Sequence, residues 1–299
     1  VTYALPYYGG GAWYVSGGGE VYNSTFTGNS SADAALYTGG GAIYNDDGLI
    51  VLGSTFSANS TTGNFSPSGG GAIFNYDPIS IVNSTFTGNK SATKGGAFFN
   101  YDSGATVFYS DTLYANTATS MGGNVENQYA ASLYNTIVAG GVSASNPDVD
   151  NLATLTSGDY NLIGKGVDNS GSGGAFTAAP HDRIGTHALP VNPVLAALSN
   201  NGGPTWTMAD AATSPGHQKI PVVSGSCNNT GVSTDQRGFA RGATFCDMGA
   251  YEFGASPAAV RAHVPKLIRG RKHHPSNHHR STAPGPHANH RHTSKGVTQ

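Results

Sequence analysis

The chain has 299 residues, with 43 Gly, 15 Lys+Arg against 17 Asp+Glu, and 2 Cys. Glycine runs at about twice its usual share and charge at less than half, no collagen triplet accompanies the glycine, and aromatics reach 10%, so a triple helix, a wholly disordered chain and an ordinary helical enzyme do not fit. Residues 1–254 carry 7 Lys/Arg and all 17 acids, whereas residues 255–299 carry 8 Lys/Arg, 8 of the 11 His and no acid; the acidic body is no nucleic-acid binder.

The chain opens at Val1 and by Gly9 is inside a repeat, which reads as a solenoid lacking its natural N-terminus, with a signal peptide and further coils expected upstream. Gly9-Gly10-Gly11-Ala12-Trp13-Tyr14 recurs as Gly39 to Tyr44, Gly69 to Phe74, Gly95 to Phe99 and, decayed, Gly122 to Val125. A second motif interleaves: Asn23-Ser24-Thr25-Phe26-Thr27-Gly28-Asn29, then Gly53 to Asn59, Asn83 to Asn89, Ser110 to Asn116 and Asn135 to Gly140. A period of 24–30 residues with strand-type composition predicts stacked coils, each strand pairing with its equivalents about 4.8 Å above and below. Trp13, Ile43, Ile73, Phe98 and Val125 form one expected interior column, and Phe26, Phe56, Phe86, Leu113 and Ile137 another. Asn45, Asn75, Asn100 and Asn127, two places on, share the first column's face and are expected to form an Asn ladder; Asn29, Asn59, Asn89 and Asn116 recur at a turn.

Three surface columns are candidates for function. Tyr14, Tyr44, Phe74 and Phe99 each follow the inward column by one residue and are expected to face outward, as an aromatic stripe for a glycan or a partner protein or beneath a covering loop. Asp47, Asp77 and Asp102 would stack as a carboxylate column, a weak Ca²⁺ site or plain turn residues. Thr25-x-Thr27, Thr55-x-Ser57 and Thr85-x-Thr87 flank the buried Phe and would form an outward hydroxyl grid, tolerant of substitution. His181, His187 and His217 lack metal-ligand spacing, so no resident metal, cofactor or catalytic residue is assigned.

At these residues the chain resembles the chlamydial polymorphic outer-membrane proteins, whose Gly-Gly-Ala-Ile and Phe-x-x-Asn repeats also occur in secreted bacterial β-helices of the pectin-lyase-like superfamily. Downstream, Asn135-Thr136-Ile137-Val138-Ala139-Gly140, Asp159-Tyr160-Asn161-Leu162-Ile163-Gly164, Asn201-Gly202-Gly203-Pro204-Thr205, Thr234-Asp235-Gln236-Arg237-Gly238 and Cys246-Asp247-Met248-Gly249-Ala250-Tyr251-Glu252 come in order. That set is similar to the choice-of-anchor Q domain of bacterial surface proteins. Ser214-Pro215-Gly216-His217 departs from the family's usual Ser-Pro-Ala-Ile-Asp, and Asn192-Pro193 from Asp-Pro. The resemblance implies an all-β, right-handed parallel β-helix, bacterial, secreted or held at the cell surface. The expected organisation is repeats over 1–141, a choice-of-anchor Q-like C-terminal part of the solenoid over 142–254, and a basic, His-rich, Pro-broken disordered tail over 255–299.

Two cysteines 19 apart in a chain expected to be exported, Cys227 and Cys246, are expected to pair. Arg237 and Arg241 are expected to pair with Asp235, Asp247 or Glu252. No run of 18 apolar residues occurs, so no transmembrane helix is expected. The leading reading is a non-enzymatic, monomeric, adhesin-like surface scaffold whose partner is a cell-surface glycan or a host or neighbour protein. A polysaccharide lyase or hydrolase of the same superfamily is the first rival, marked by a groove of carboxylates with a Lys or Arg among them. An ice-binding solenoid is the second.

Overall fold

The computed structural model describes residues 9–256, apart from 33–37, 64–66, 103 and 171. The expected tail falls outside the described residues from 257 onward. No helix occurs among the described residues; the fold is a parallel β-solenoid.

Three seven-stranded parallel sheets run along it. The first stacks Trp13–Val15, Ile43–Asn45, Ile73–Asn75, Phe98–Asn100, Val125–Asn127, Val149–Asn151 and Val167–Asn169. The second begins at Gly19–Tyr22 and ends at Ala175–Thr177; the third begins at Thr25–Thr27 and ends at Arg183–Ile184. A short fourth sheet joins Ser30–Ser31, Ser60–Thr61, Lys90–Ser91 and Thr117–Ala118. The Gly-Gly step places the coils in contact. Gly40 has φ 67°, the left-handed region that glycine enters without penalty. A Cβ on Gly41 would lie 2.1 Å from the Gly71 carbonyl oxygen of the next coil.

The interior is built from columns. Trp13, Ile43, Ile73, Phe98 and Val125 are in register, and Val149 and Val167 extend the column. Phe26, Phe56 and Phe86 stack face to face with centroids 4.9 and 4.6 Å apart. The next occupants are Leu113 and Val138, not Ile137. The motif copies at Ser110 and Asn135 are 25 apart, the same step as the strands, so Val138 falls in the Phe slot and Ile137, one residue earlier, takes the outward Thr slot and packs in a second core.

Polar columns satisfy themselves between the strands. Asn45 donates to Asn75 (2.7 Å), Asn75 to Asn100 (3.0 Å) and Asn100 to Asn127 (2.8 Å), and the ladder continues to Asn151 and Asn169. A second ladder runs Asn29, Asn59, Asn89, Asn116, Asn124 and Asp148. Each rung pairs a buried amide whose loss would leave an unsatisfied group.

Beyond Ile184 the described residues add no further strand to these sheets, and the chain folds back over the outward side of the third. Here Ile220–Val223 pairs antiparallel with Ser226–Cys227 and with Phe245–Cys246. Cys227 and Cys246 are disulfide-bonded, with Cα atoms 5.9 Å apart. The cap and the lower coils share a second core of Ile137, Tyr160, Leu162, Ile220, Met248 and the disulfide.

Candidate functional site

The outward column of the first sheet is not a bare stripe. Tyr44, Phe74 and Phe99 are buried, with Tyr14, Tyr76 and Tyr101 packed around them. The rings do leave the solenoid interior, but the chain covers them. A Cβ on Gly39 would sit 2.6 Å from the Phe74 ring, so a glycine strand lies flat against the aromatic face.

The same slot continues below Phe99 as Glu126, Asp150 and Asp168. These carboxylates lie on successive coils, and Lys94 crosses to Glu126 (3.1 Å), which also accepts from Gln128. Burial, then the hydrogen bond and charge of Asp150, push the Glu126 carboxyl up to about 8. Its Oε2 and Asp150 Oδ2 are buried without a hydrogen-bond partner. Both side chains are fully buried. Asp168 is more open, 2.9 Å from His187, in a shallow cleft with Lys165 and Phe176. Sequence reasoning stopped at Phe99. The signal was the recurring triplet Val125-Glu126-Asn127, Val149-Asp150-Asn151 and Val167-Asp168-Asn169.

The expected carboxylate column lies in the turn between the first two sheets, where each member has local work. Asp47 accepts from the Gly48 amide (2.6 Å), the Asp77 carbonyl accepts from Asn45 (3.2 Å), and Asp102 is hydrogen-bonded to Tyr76, whose hydroxyl it helps to raise after burial.

The hydroxyl grid is also altered. Thr25 and Thr27 are exposed, but Thr55, Thr85 and Thr112 are buried beneath the cap. Thr55 donates to the Trp206 carbonyl (2.6 Å), Thr85 to Gln236 (2.6 Å), and Thr112 accepts from the Ala250 amide (2.9 Å). The Thr that strand alternation turns away from the core thus becomes a docking contact. The Asp-Gln-Arg-Gly and Cys-Asp-Met-Gly-Ala-Tyr-Glu motifs interlock around it. Arg237 pairs with Asp235 (2.6 Å) between the rings of Phe239 and Tyr251. Arg241 pairs with Glu252 (3.3 Å) and reaches Asn83 of the solenoid (2.8 Å).

The histidines are not simply solvated. His181 bonds Asp159 (2.6 Å) and stacks on Tyr160, and His217 is half-buried, 2.9 Å from Asp247. Asp182, in turn, caps the Ser157 and Asn161 corner. Asp210, His217 and Asp247 bring ligand atoms within 4.8 Å of one another, a convergence that sequence spacing did not announce.

The outward face of the second sheet was not singled out from sequence. Val21, Val51, Ile81, Phe108 and Leu133 point into the core, so their neighbours Tyr22, Leu52, Val82, Tyr109 and Tyr134 point out. Tyr22 is exposed, Leu52, Tyr109 and Tyr134 are partly exposed, and Val82 is buried. Tyr22 is 39% exposed, and Tyr109 stacks on Tyr134 with centroids 4.9 Å apart. The adjacent outward row reads Glu20, Ile50, Ser80, Val107, Ser132 and Thr156. Comparison of the chain with family models, with curated proteins and with solved structures finds no match.

Proposed function

We propose that the chain is a non-enzymatic, monomeric β-solenoid scaffold of the bacterial cell surface or exterior that holds a glycan along the outward face of its second sheet. The observation that carries this reading is that face itself. Tyr44, Phe74 and Phe99 of the first sheet and Thr55, Thr85 and Thr112 of the third are covered by the chain's own segments, whereas the second keeps Tyr22 exposed and Leu52, Tyr109 and Tyr134 partly exposed beside Ser80, Ser132 and Thr156. Tyr holds this slot in three of five coils, with Ser80, Ser132 and Thr156 in the neighbouring row; aromatic faces near hydroxyls suit a polymer of sugar rings, which stack on the one and hydrogen-bond to the other. The disulfide fits an oxidising compartment. Retention on peptidoglycan, cellulose, chitin and polygalacturonate tests the reading. At least one should hold the protein, and Tyr22→Ala with Tyr109→Ala should weaken that retention about thirtyfold, at roughly 1 kcal/mol per lost stack. Retention unchanged by the double variant, or none on any polymer, defeats it.

A second reading, a polysaccharide-cleaving enzyme, has one observation in its favour: Glu126 and Asp150 on adjacent coils beside Lys94. A glycosidase needs two carboxyls flanking an accessible bond, and this pair is buried. New reducing ends or unsaturated products, lost in Glu126→Gln, would favour this reading over the scaffold.

A further inference from the structure

The cap holds a buried charge arrangement that its own residues leave incomplete. Asp210 stands on the antiparallel bridge to Leu195, is 6% exposed, and has no hydrogen-bond partner for either carboxylate oxygen. An unpartnered buried carboxylate is costly, and native interiors rarely keep one. Its oxygen, a ring nitrogen of His217 and a carboxylate oxygen of Asp247 converge within 4.8 Å. His217 Nδ1 lies 2.9 Å from Asp247 Oδ1 without the alignment of a hydrogen bond. Two ligands of one metal, each at about 2.0–2.2 Å, stand roughly 3 to 3.5 Å apart, near this separation.

The surroundings point the same way. Asp247 is held from behind: its oxygens accept from the amides of Gln218 (2.6 Å) and Phe253 (2.7 Å). Arg241 is engaged with Glu252, the Asp247 carbonyl, the Gly249 carbonyl and Asn83, so it does not answer Asp210. Three carboxylates, Asp210, Asp247 and Glu252, thus face one guanidinium, and a dication balances the remainder. The His217 side chain is 18% exposed, which leaves an approach from solvent and room for water ligands.

We propose that Asp210, His217 and Asp247 form a binding site for a divalent transition ion of the zinc class, which staples the cap beside the disulfide. One imidazole with two carboxylates suits Zn²⁺ or its first-row neighbours, whereas Ca²⁺ prefers all-oxygen sites of six or more ligands. The ion would tie the Asp210 bridge to Asp247, which follows the strand Phe245–Cys246, two parts of the cap that the disulfide does not join.

Metal-stripped full-length protein, titrated with Zn²⁺ and followed by bound metal and by thermal unfolding, tests the site. The 8 histidines of residues 255–299 will take up zinc in every variant, so the reading is the difference between proteins. The wild type should bind one more equivalent than Asp210→Asn or His217→Gln, and only the wild type should gain several degrees in melting temperature. His217→Gln alters a partly exposed side chain, so it decides the matter if Asp210→Asn folds poorly. Equal stoichiometry and equal thermal response in wild type and His217→Gln overturns the site. A shift with Ca²⁺ and none with Zn²⁺ overturns the assignment of the ion.

Discussion

The coils and the cap solve the same problem by opposite means. In the coils a buried polar group is answered by its own copy one turn away, as in the Asn45 to Asn169 ladder. In the cap no group repeats: Asp235 takes Arg237, Glu252 takes Arg241, and Gln236 reaches Ser54, Thr55, Thr85 and Thr205. Repetition spreads stability over nearest-neighbour interfaces. A unique network concentrates it, because removing one member leaves another buried charge without its partner.

The sharpest way to break this contrast sets Phe86→Ala against Arg237→Ala. Phe86 is fully buried and stacked 4.6 Å from Phe56; its loss should cost about 3–5 kcal/mol. Arg237→Ala strands the buried Asp235 and should cost a similar ~3–5 kcal/mol. The two differ in where the damage shows. The chain has 2 Trp, Trp13 in the first coil and Trp206 in the cap, and single Trp→Phe replacements make each an isolated probe. In Arg237→Ala the Trp206 signal should melt before that of Trp13; in Phe86→Ala both should move together. Coincident transitions in Arg237→Ala would make coils and cap one cooperative unit.

The division also explains what could be read in advance. The solenoid was legible because a coil that cannot bury its own face must repeat, and repetition is visible as spacing: the interior column and both Asn ladders lie where Gly-Gly-Ala and Phe-x-x-Asn put them. Alternation puts the aromatic column on the outward side of its strand but leaves open whether it is bare or covered, since it gives direction and not covering. Thr85 was misjudged for the same reason; its partner, Gln236, is 151 residues away. The Asp210, His217 and Asp247 convergence had no spacing signature, because three unrelated turns of the cap build it. The Val-acid-Asn triplets were readable and mark where the outward column changes from aromatic to acidic.

That change predicts a pH effect in the lower coils. Burial and Asp150 push Glu126 from 4.5 to about 8. The folded protein therefore keeps a proton that the unfolded chain has released. This contribution to stability is complete below pH 4.5 and is lost as pH rises to about 8. Glu126→Gln should flatten this slope. Relative to wild type it should be neutral at pH 4 and more stable at pH 9, on the order of 2–4 kcal/mol. Phe99→Leu, one coil above in the same slot, should leave the slope alone. Urea midpoints across the range measure both.

The smallest effect is the most local test of where the cap ends. Thr25, Thr55 and Thr85 occupy one column of the third sheet, in register and in nearly the same motif. Thr25 is exposed, whereas Thr85 is fully buried and donates to Gln236 at 2.6 Å. Thr85→Ala removes that donor and leaves the Gln236 oxygen facing a gap, at about 1–2 kcal/mol. Thr25→Ala removes a hydroxyl that water already serves and should stay within about 0.5 kcal/mol. Thr85→Ser keeps the hydroxyl and loses only a methyl, so it should recover most of the difference. Strand propensity falls for Ala at either position, and the Thr25 variant subtracts that common part. Unfolding midpoints for the three variants decide it. Equal costs at Thr25 and Thr85 would mean that the cap does not rest on this column, and that the row of threonines stands as open at the third coil as at the first.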